Sequence, residues 1–429
     1  MDRSDQRYQA YISILREELI PAMGCTEPIA IAYCAARARE ILQELPERVV
    51  VGASGSMIKN VKSVIVPHTG HRKGIEVAAA AGIVAGRAEL GLEVISRVSE
   101  KELEEIGTYV ERTPIAVQHI DNGPVFDICV TVSAGEHSAM VRIANYHTNI
   151  VHEEKDGKAL LDIPVEEDCE EGLTDRSCLT MEGIWDFIQT VDVNEIRPIL
   201  EPQVRMNMAI ANEGMHGDYG ANIGKVMEKL YGDDDIRILA RAYAAAGSDA
   251  RMNGCELPVV INSGSGNQGI TACVPVVIYA KKLSCTEEKM YRALALSNLT
   301  AIHQKTKIGR LSAYCGAVNA GAGAGAGIAY LCGGGYEEII HTVVNALAVV
   351  SGIVCDGAKA SCAAKIASAV EAGIFGYEMY RNGQEFHGGE GIVTKGVEET
   401  IANVGKLAHD GMKETNEEII KIMVGGTSK

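Results

Sequence analysis

Residues 320–327 alternate Ala-Gly four times over, inside a stretch, Leu311–Tyr336, that carries no charged side chain. Helical periodicity over 310–332 surrounds this run, yet each glycine in a helix costs roughly 1 kcal/mol against alanine. A sequence that accepts this cost four times needs a return, and close approach of helices around something buried supplies it. Composition points the same way. Glycine is 46 of 429 residues, where about 7% is typical, and aromatic residues are only 5%. The interior must gain density from backbone approach rather than from rings.

A second uncharged stretch, Leu257–Ala280, is also long enough to suggest a membrane span. It is interrupted by Asn262, Ser263, Ser265, Asn267 and Gln268, and the first stretch is mostly Gly and Ala, which gain little in lipid. The only tryptophan, Trp185, flanks neither. Both read as buried segments of a soluble protein. Lys+Arg number 40 and Asp+Glu 57, so the net charge is 40 − 57 = −17. That balance argues against nucleic-acid or anionic-membrane partners, which need clustered cations. Met1-Asp2-Arg3-Ser4-Asp5 opens no apolar signal region, so a cytoplasmic location is expected. In a reducing compartment the twelve cysteines read as core thiols, metal ligands or reactive groups rather than a disulfide framework.

The predicted fold class is α+β. Residues 5–22 and 27–44 form an N-terminal helix pair (1–46), the second helix opening with Thr26-Glu27-Pro28, a capping residue followed by a first-turn carboxylate and proline. Short β-branched runs at Val49–Val51, Val61–Val66, Ile115–His119, Phe126–Val132 and Ala139–Ala144 read as strands. With helices near 74–90 and 100–110 they make a smaller α+β domain, 47–175. The acidic segment 166–171 is a plausible linker. From 176 to 429 the helical period dominates, over 182–191, 197–230, 235–247, 286–304, 310–332, 336–353, 361–376 and 396–424. The helix pair is expected to pack on this all-α domain.

Three constellations could carry chemistry. Gly264-Ser265-Gly266-Asn267-Gln268-Gly269 satisfies the dinucleotide fingerprint, but Pro275 interrupts the helix that should follow, and no βαβ alternation appears. As Asn262-Ser-Gly-Ser-Gly-Asn-Gln-Gly269, the same residues offer hydroxyls, amides and free N–H groups suited to a small anion, a carboxylate as well as a phosphate. Cys315, Cys355 and Cys362 lie in buried, glycine-rich segments. Asp356-Gly357 suggests a turn that lets both flanking thiols face inward, with Ser361 capping the next helix. Three thiolates fit either zinc or an iron–sulfur cluster with one open iron. Cys25, just before a helix N-terminus, should have a lowered pKa. His68 and His71 have metal-like spacing, and Lys305, in His303-Gln304-Lys305, is a candidate substrate contact. Cys34, Cys129, Cys255, Cys273 and Cys332 read as small core residues.

The chain resembles a bacterial and archaeal family related to the iron–sulfur serine dehydratase α chain, whose members include L-cysteine desulfidases. The resemblance is carried by Met23-Gly-Cys-Thr-Glu-Pro28, Asn262–Gly269, Cys315-Gly-Ala-Val-Asn-Ala-Gly321 and Cys355-Asp-Gly-Ala-Lys-Ala-Ser-Cys362. It implies an oxygen-sensitive 4Fe-4S cluster on Cys315, Cys355 and Cys362, with Cys25 near the open iron as catalytic base or fourth ligand. Serine dehydratases tend to carry a longer Cys-Asp-Pro…Pro-Cys segment, so the shorter Cys-Asp-Gly form here weakens the case for a serine substrate.

The implied reaction is β-elimination of L-cysteine to 2-aminoacrylate and hydrogen sulfide, then hydrolysis to pyruvate and ammonia. Asn262, Ser263, Ser265 and Asn267 would hold the α-carboxylate. Two further enzymatic readings are an iron–sulfur L-serine dehydratase and a pyridoxal-phosphate β-lyase; for the latter, Lys225 and Lys229 lie in a predicted helix rather than at a strand end. A non-enzymatic zinc- or amino-acid-binding protein is the fourth. The partner expected is a small amino acid, with a homodimer as the default assembly.

Overall fold

A computed structural model describes residues 1–121, 123–165, 173–309 and 311–425; the linker expected at 166–171 lies outside the described residues. The chain opens with α1 (Gln6–Glu18), a short strand β1 (Pro21–Met23) and α2 (Thr26–Leu42). Next come β2 (Arg48–Ser54), α3 (Gly55–Val61), α4 (Ile75–Ala85), α5 (Glu100–Arg112) and β3 (Ile115–Ile120). Four strands follow: β4 (Asp127–Ala134), β5 (His137–Ala144), β6 (Ile150–Lys155) and β7 (Lys158–Asp162). The rest is helical except for β8 (Pro258–Val260), which lies between α9 (Ile236–Met252) and α10 (Gly266–Lys282). Before α9 stand α6 (Met181–Thr190), α7 (Val193–His216) and α8 (Ile223–Tyr231). After α10 run α11 (Glu287–Ile308), α12 (Gly316–Leu331), α13 (Tyr336–Val350), α14 (Ser361–Arg381), α15 (Val397–Lys406) and α16 (Lys413–Gly425). The fold class is α+β, with a helical C-terminal region.

The six-stranded sheet runs β3-β2-β4-β5-β6-β7, and only the β2–β3 pair is parallel. Helices α3 to α5 make the crossover a parallel pair requires, whereas the last four strands are joined as hairpins. Strands β6 and β7 were not expected, because β7 is an exposed edge with little alternation. Their turn was legible: Asp156-Gly157 has φ of 48° and 77°, the positive values a two-residue hairpin needs.

Other expectations are corrected by packing. Val61–Val66 forms no strand. Ser54 caps α3 by accepting from the Met57 N–H, and Val64 and Val66 are buried in the loop beyond; their β-branched pattern reported burial rather than a strand partner. The helix expected over 197–230 is two, broken where Asn222 turns left-handed with φ 52°. Residues 396–424 likewise divide into α15, a π turn at Leu407–Gly411 and α16. Ala360, not Ser361, holds the cap position of α14. The N-terminal pair also splits. Helix α1 packs on α6, α7 and α11, whereas α2, apolar nearly all round, is buried between α4 and the sheet. One apolar core runs through both regions.

Helix α12 lies at the centre of the helical region, packed by α10, α11, α13 and α14. Its glycines form two i,i+4 rows. A Cβ on Gly321 would lie 2.4 Å from the Ala369 carbonyl oxygen of α14, and one on Gly325 would lie 2.7 Å from Gly373 Cα. On the other row, Gly323 and Gly327 face Ser297 and Ala293 of α11, at 2.5 and 2.9 Å from their carbonyl oxygens. Among the described residues no helix is long and apolar enough to cross a membrane.

Candidate active site

The motifs singled out in the sequence stand at helix starts. Cys25 is the N-cap of α2, Ser265 of α10 and Cys315 of α12, and Cys362 lies in the first turn of α14. Neither Cys25, Cys315 nor Ala360 supplies a side-chain cap. First-turn N–H groups and the positive ends of these helices are thus left for other partners.

The Cys25 thiol is 2% exposed and donates to Glu27 Oε2 at 3.1 Å. Burial, and then the neighbouring Glu27 charge, push its pKa well up. The lowered pKa expected from the helix dipole is therefore corrected: desolvation outweighs a partial charge. Burial also works against the Glu27 carboxylate, but His147, the Cys25 thiol and Arg251 together hold its pKa below the usual range. Asn60 Nδ2 donates to Glu27 Oε1 at 2.9 Å and Thr26 Oγ1 to Oε2 at 3.1 Å. The result is a protonated thiol hydrogen-bonded to an ionised, pinned carboxylate.

The single Thr26 hydroxyl proton is shared between Glu27 and the Gly264 carbonyl, the latter at 2.8 Å, which ties this dyad to the 262–269 loop. There Ser263 and Gly264 take φ of 49° and 78°, closing a tight turn in which Asn262 and Ser265 exchange backbone hydrogen bonds of 3.1 and 3.0 Å. Asn262 is fully buried, bonded to Asn298 Oδ1 and to the Ser263 hydroxyl. It positions the loop, and its side chain is already satisfied there. Asn267 Oδ1 accepts from Arg251 Nη1 at 3.1 Å. The helix that Pro275 seemed to forbid does form: α10 runs straight through it, with the Ser297 hydroxyl of α11 donating to the nearby Ala272 carbonyl. Its preceding strand β8 pairs antiparallel with β1, so no dinucleotide-type βαβ unit exists here.

The thiol segments meet beside this loop. Gln268 lies against Gly316, 2.7 Å from where its Cβ would stand, and accepts from Asn319 Nδ2 at 3.2 Å. Cys315 N–H donates to Ile353 O and Cys355 N–H to Ala313 O, an antiparallel bridge that sets the two cysteines on adjoining strands of chain. Gly357, φ 92°, makes the expected turn, and Lys59 O would be 2.4 Å from any Cβ there. Cys362 then returns, its Sγ 3.7 Å from Gly357 O, and with Ala358 it packs on the cluster of Cys25, Val64 and Met252. Burial, then the Cys355 thiol, raise Cys315 to about 12, with Cys362 adding to the effect.

Among the described residues no three His, Cys, Asp or Glu side chains stand close enough to hold one metal ion. These described residues do not form a single zinc site. An iron–sulfur cluster takes each thiolate on a different iron, and a spread trio of soft donors is the set it uses. The surroundings favour negative charge. Lys59 Nζ donates to Cys355 O at 3.3 Å, Lys365 Nζ to Val354 O at 2.8 Å, and Lys359 Nζ to Gly357 O at 3.1 Å. Asp356, paired with Lys359 and Lys365, is held at about 2 despite burial that works the other way. With Arg251, these cations outnumber Glu27 and Asp356, which fits an anionic occupant.

A cavity of about 830 Å³ abuts the site; Ser263, Lys305, Ala313 and Asn416 are among its walls. It shares Ala313 and Asn416 with the contacts that hold Cys355 and Lys59, while the thiols themselves lie outside its lining. Lys305 and Ser263 thus line the same cavity, whose walls do not include the cysteines. Its neighbour His303 pairs with Glu398 at 2.7 Å, a structural contact. His68 Nδ1 lies 3.3 Å from Glu256 Oε1. Of the cysteines read as core, Cys332 is exposed and Cys129 half-buried; all the described cysteines are free. Sequence reasoning missed Arg251 and Lys59, and assigned Glu27 only a helix-start role although it stands inside the Cys25 motif.

The profile of the serine dehydratase alpha chain family matches residues 89–421. The chain belongs to that family. A UPF0597 protein of Desulfitobacterium hafniense is 56% identical over 428 residues, covering 100% of this chain and 99% of its own. Similar proteins of the same name occur in Lachnoclostridium phytofermentans, 51% identical over 97% of this chain and 100% of theirs, and in Treponema denticola, 45% identical over 99% and 100%. The serine dehydratase match spans β3 to β7 of the sheet, the 262–269 loop and all three thiol positions, but begins after Cys25, Glu27 and β2.

Proposed function

We propose that the chain is a carbon–sulfur lyase of the serine dehydratase type, an L-cysteine desulfidase. It would convert L-cysteine to hydrogen sulfide and 2-aminoacrylate, which water hydrolyses to pyruvate and ammonia. One observation carries the reading: the Cys25–Glu27 dyad, the Asn262–Gly269 loop and the segments bearing Cys315, Cys355 and Cys362 meet at the starts of four helices.

Bound by Cys315, Cys355 and Cys362, a 4Fe-4S cluster with one iron free of protein would supply a Lewis acid for the leaving sulfur. The remaining work falls to the chain. Ser263, Ser265 and Asn267 orient the substrate carboxylate, and Asn262 fixes that loop from behind. Cys25, acting as a thiolate made more basic by burial, takes the α-proton from substrate, a general-base role of the kind that contributes about 10²–10⁴-fold. Asn60 and Thr26 hold the ionised Glu27 in place beside it. Burial of the dyad excludes water, and Lys305 adds positive charge on the cavity wall. The family match favours a second substrate, L-serine, eliminated by the same residues with hydroxide as leaving group.

Anaerobic purification tests the proposal. Broad brown absorbance bleached by air, with iron and labile sulfide that vanish in Cys315→Ser, Cys355→Ser or Cys362→Ser, supports the cluster. Pyruvate and sulfide from L-cysteine identify the desulfidase; pyruvate from L-serine in preference identifies the dehydratase. An aldimine band, or a colourless zinc-loaded protein, would refute both.

A further inference from the structure

We infer that Arg251 and the first turn of α10 form the subsite for the ligand's α-carboxylate, so that a free carboxylate is a condition of binding. The inference rests on the lyase reading for the identity of the ligand but draws on separate observations. Arg251, in the last turn of α9, is 3% exposed. A guanidinium removed from water needs an anion or a full set of acceptors. Its one hydrogen bond among the described residues is Nη1 to Asn267 Oδ1, a neutral acceptor, and its buried Nε has no partner. Glu27, an acid on which the Arg251 charge acts, is already engaged by Cys25, Thr26 and Asn60.

The guanidinium is also aimed. A Cβ on Gly266 would stand 2.3 Å from Arg251 Nε and 2.7 Å from Cζ, so the fork lies directly against the first residue of α10, and only glycine admits it. At that end of the helix the Gly266 and Asn267 N–H groups have no intrahelical acceptor. An unpaired N–H of a planar cation and the open amides of a helix start thus converge, the arrangement that takes a carboxylate by two parallel hydrogen bonds. Arg251 also acts electrostatically on both Cys25 and Glu27. A carboxylate held here therefore leaves the attached α-carbon beside the proton-handling pair.

The test compares L-cysteine with cysteamine, which lacks the carboxylate, and with 3-mercaptopropionate, which lacks the amine, by calorimetry on the anaerobic holoenzyme. Wild type should bind L-cysteine at least 100-fold more tightly than cysteamine. Arg251→Met, with circular dichroism and cluster absorbance unchanged, should lose 10- to 100-fold in affinity for L-cysteine and for 3-mercaptopropionate but not for cysteamine. Should Arg251→Met misfold, Arg251→Lys serves, with an intermediate loss confined to the carboxylates. Loss of affinity for all three ligands alike would mark a merely structural role and overturn the subsite. So would a folded variant that keeps the wild-type preference. If neither L-cysteine nor L-serine is turned over, the lyase reading fails, yet Arg251-dependent binding of 3-mercaptopropionate would still uphold the subsite.

Discussion

Replacing Gly321 by alanine tests the reasoning that began with the Ala-Gly run. In an isolated helix the change gains about 1 kcal/mol. Here the new Cβ lands 2.4 Å from Ala369 O, 2.5 Å from its carbonyl carbon and 2.9 Å from its Cβ, whereas ordinary contact begins near 3.4 Å. Helices α12 and α14 must part by about 1 Å. Two of the three obstructing atoms are backbone, which cannot swing aside, and α12 is held against α11 by Gly323 and Gly327. Overpacking of a dense core costs about 1–3 kcal/mol; taking the upper end and subtracting the propensity gain leaves a net loss of about 2 kcal/mol. Urea unfolding of the reduced protein, followed by circular dichroism, reads this as a lower midpoint with unchanged slope. Gly352→Ala is the control, since nothing lies within 4 Å of its new methyl. Because α12 starts beside Cys315, the same variant should retain less iron after anaerobic purification. A Gly321→Ala protein as stable as the control, or more so, would refute the idea that backbone contact is what the glycines provide.

Three further outcomes are expected. Cys25→Ala should keep the cluster absorbance while turnover falls by at least about 100-fold; loss of the absorbance would instead assign Cys25 as fourth ligand. Asp249 accepts from the Ile223 and Ala221 N–H groups at 2.6 and 3.3 Å, yet burial raises its pKa from 3.8 to about 6. A raised pKa means a contribution fully present below the unfolded value and lost as pH rises through 6. Stability measured from pH 4 to 8 should therefore decline by about 2–3 kcal/mol from this group, and Asp249→Asn should flatten that slope. Finally, Asn298→Ala strands the buried amides of Gln203 and Asn262, which bond to it at 2.9 Å. A cost of about 2–4 kcal/mol in urea unfolding is expected, with weaker binding of L-cysteine because the 262–269 loop loses its support.

Much was legible because it is local. Thr26-Glu27-Pro28 announces a helix start wherever it occurs, and β4 and β5 show the alternation of a sheet covered on one face. The Ala-Gly run states its own requirement for neighbours at backbone distance, and each of the four motifs that carry the family resemblance is a short unbroken run of residues. Where local pattern and environment parted, the reading failed. Pro275 has no amide to give, yet α10 continues because its surroundings supply other bonds and burial. Val61–Val66 has the composition of a strand without a strand to pair with. Cys25 sits where a helix dipole would ionise it, but the water that would stabilise a thiolate has been removed.

Only the folded chain decides who meets whom. Lys59 reaches Cys355 across 296 positions and Thr26 reaches Gly264 across 238, and no periodicity encodes such a separation. Arg251 is an unremarked last-turn cation in the sequence; it becomes a buried, half-satisfied charge only when Gly266 is pressed against it. Short-range order follows from what each residue permits its own backbone. The site follows from which surfaces the core forces together, and its charges take their protonation from that burial.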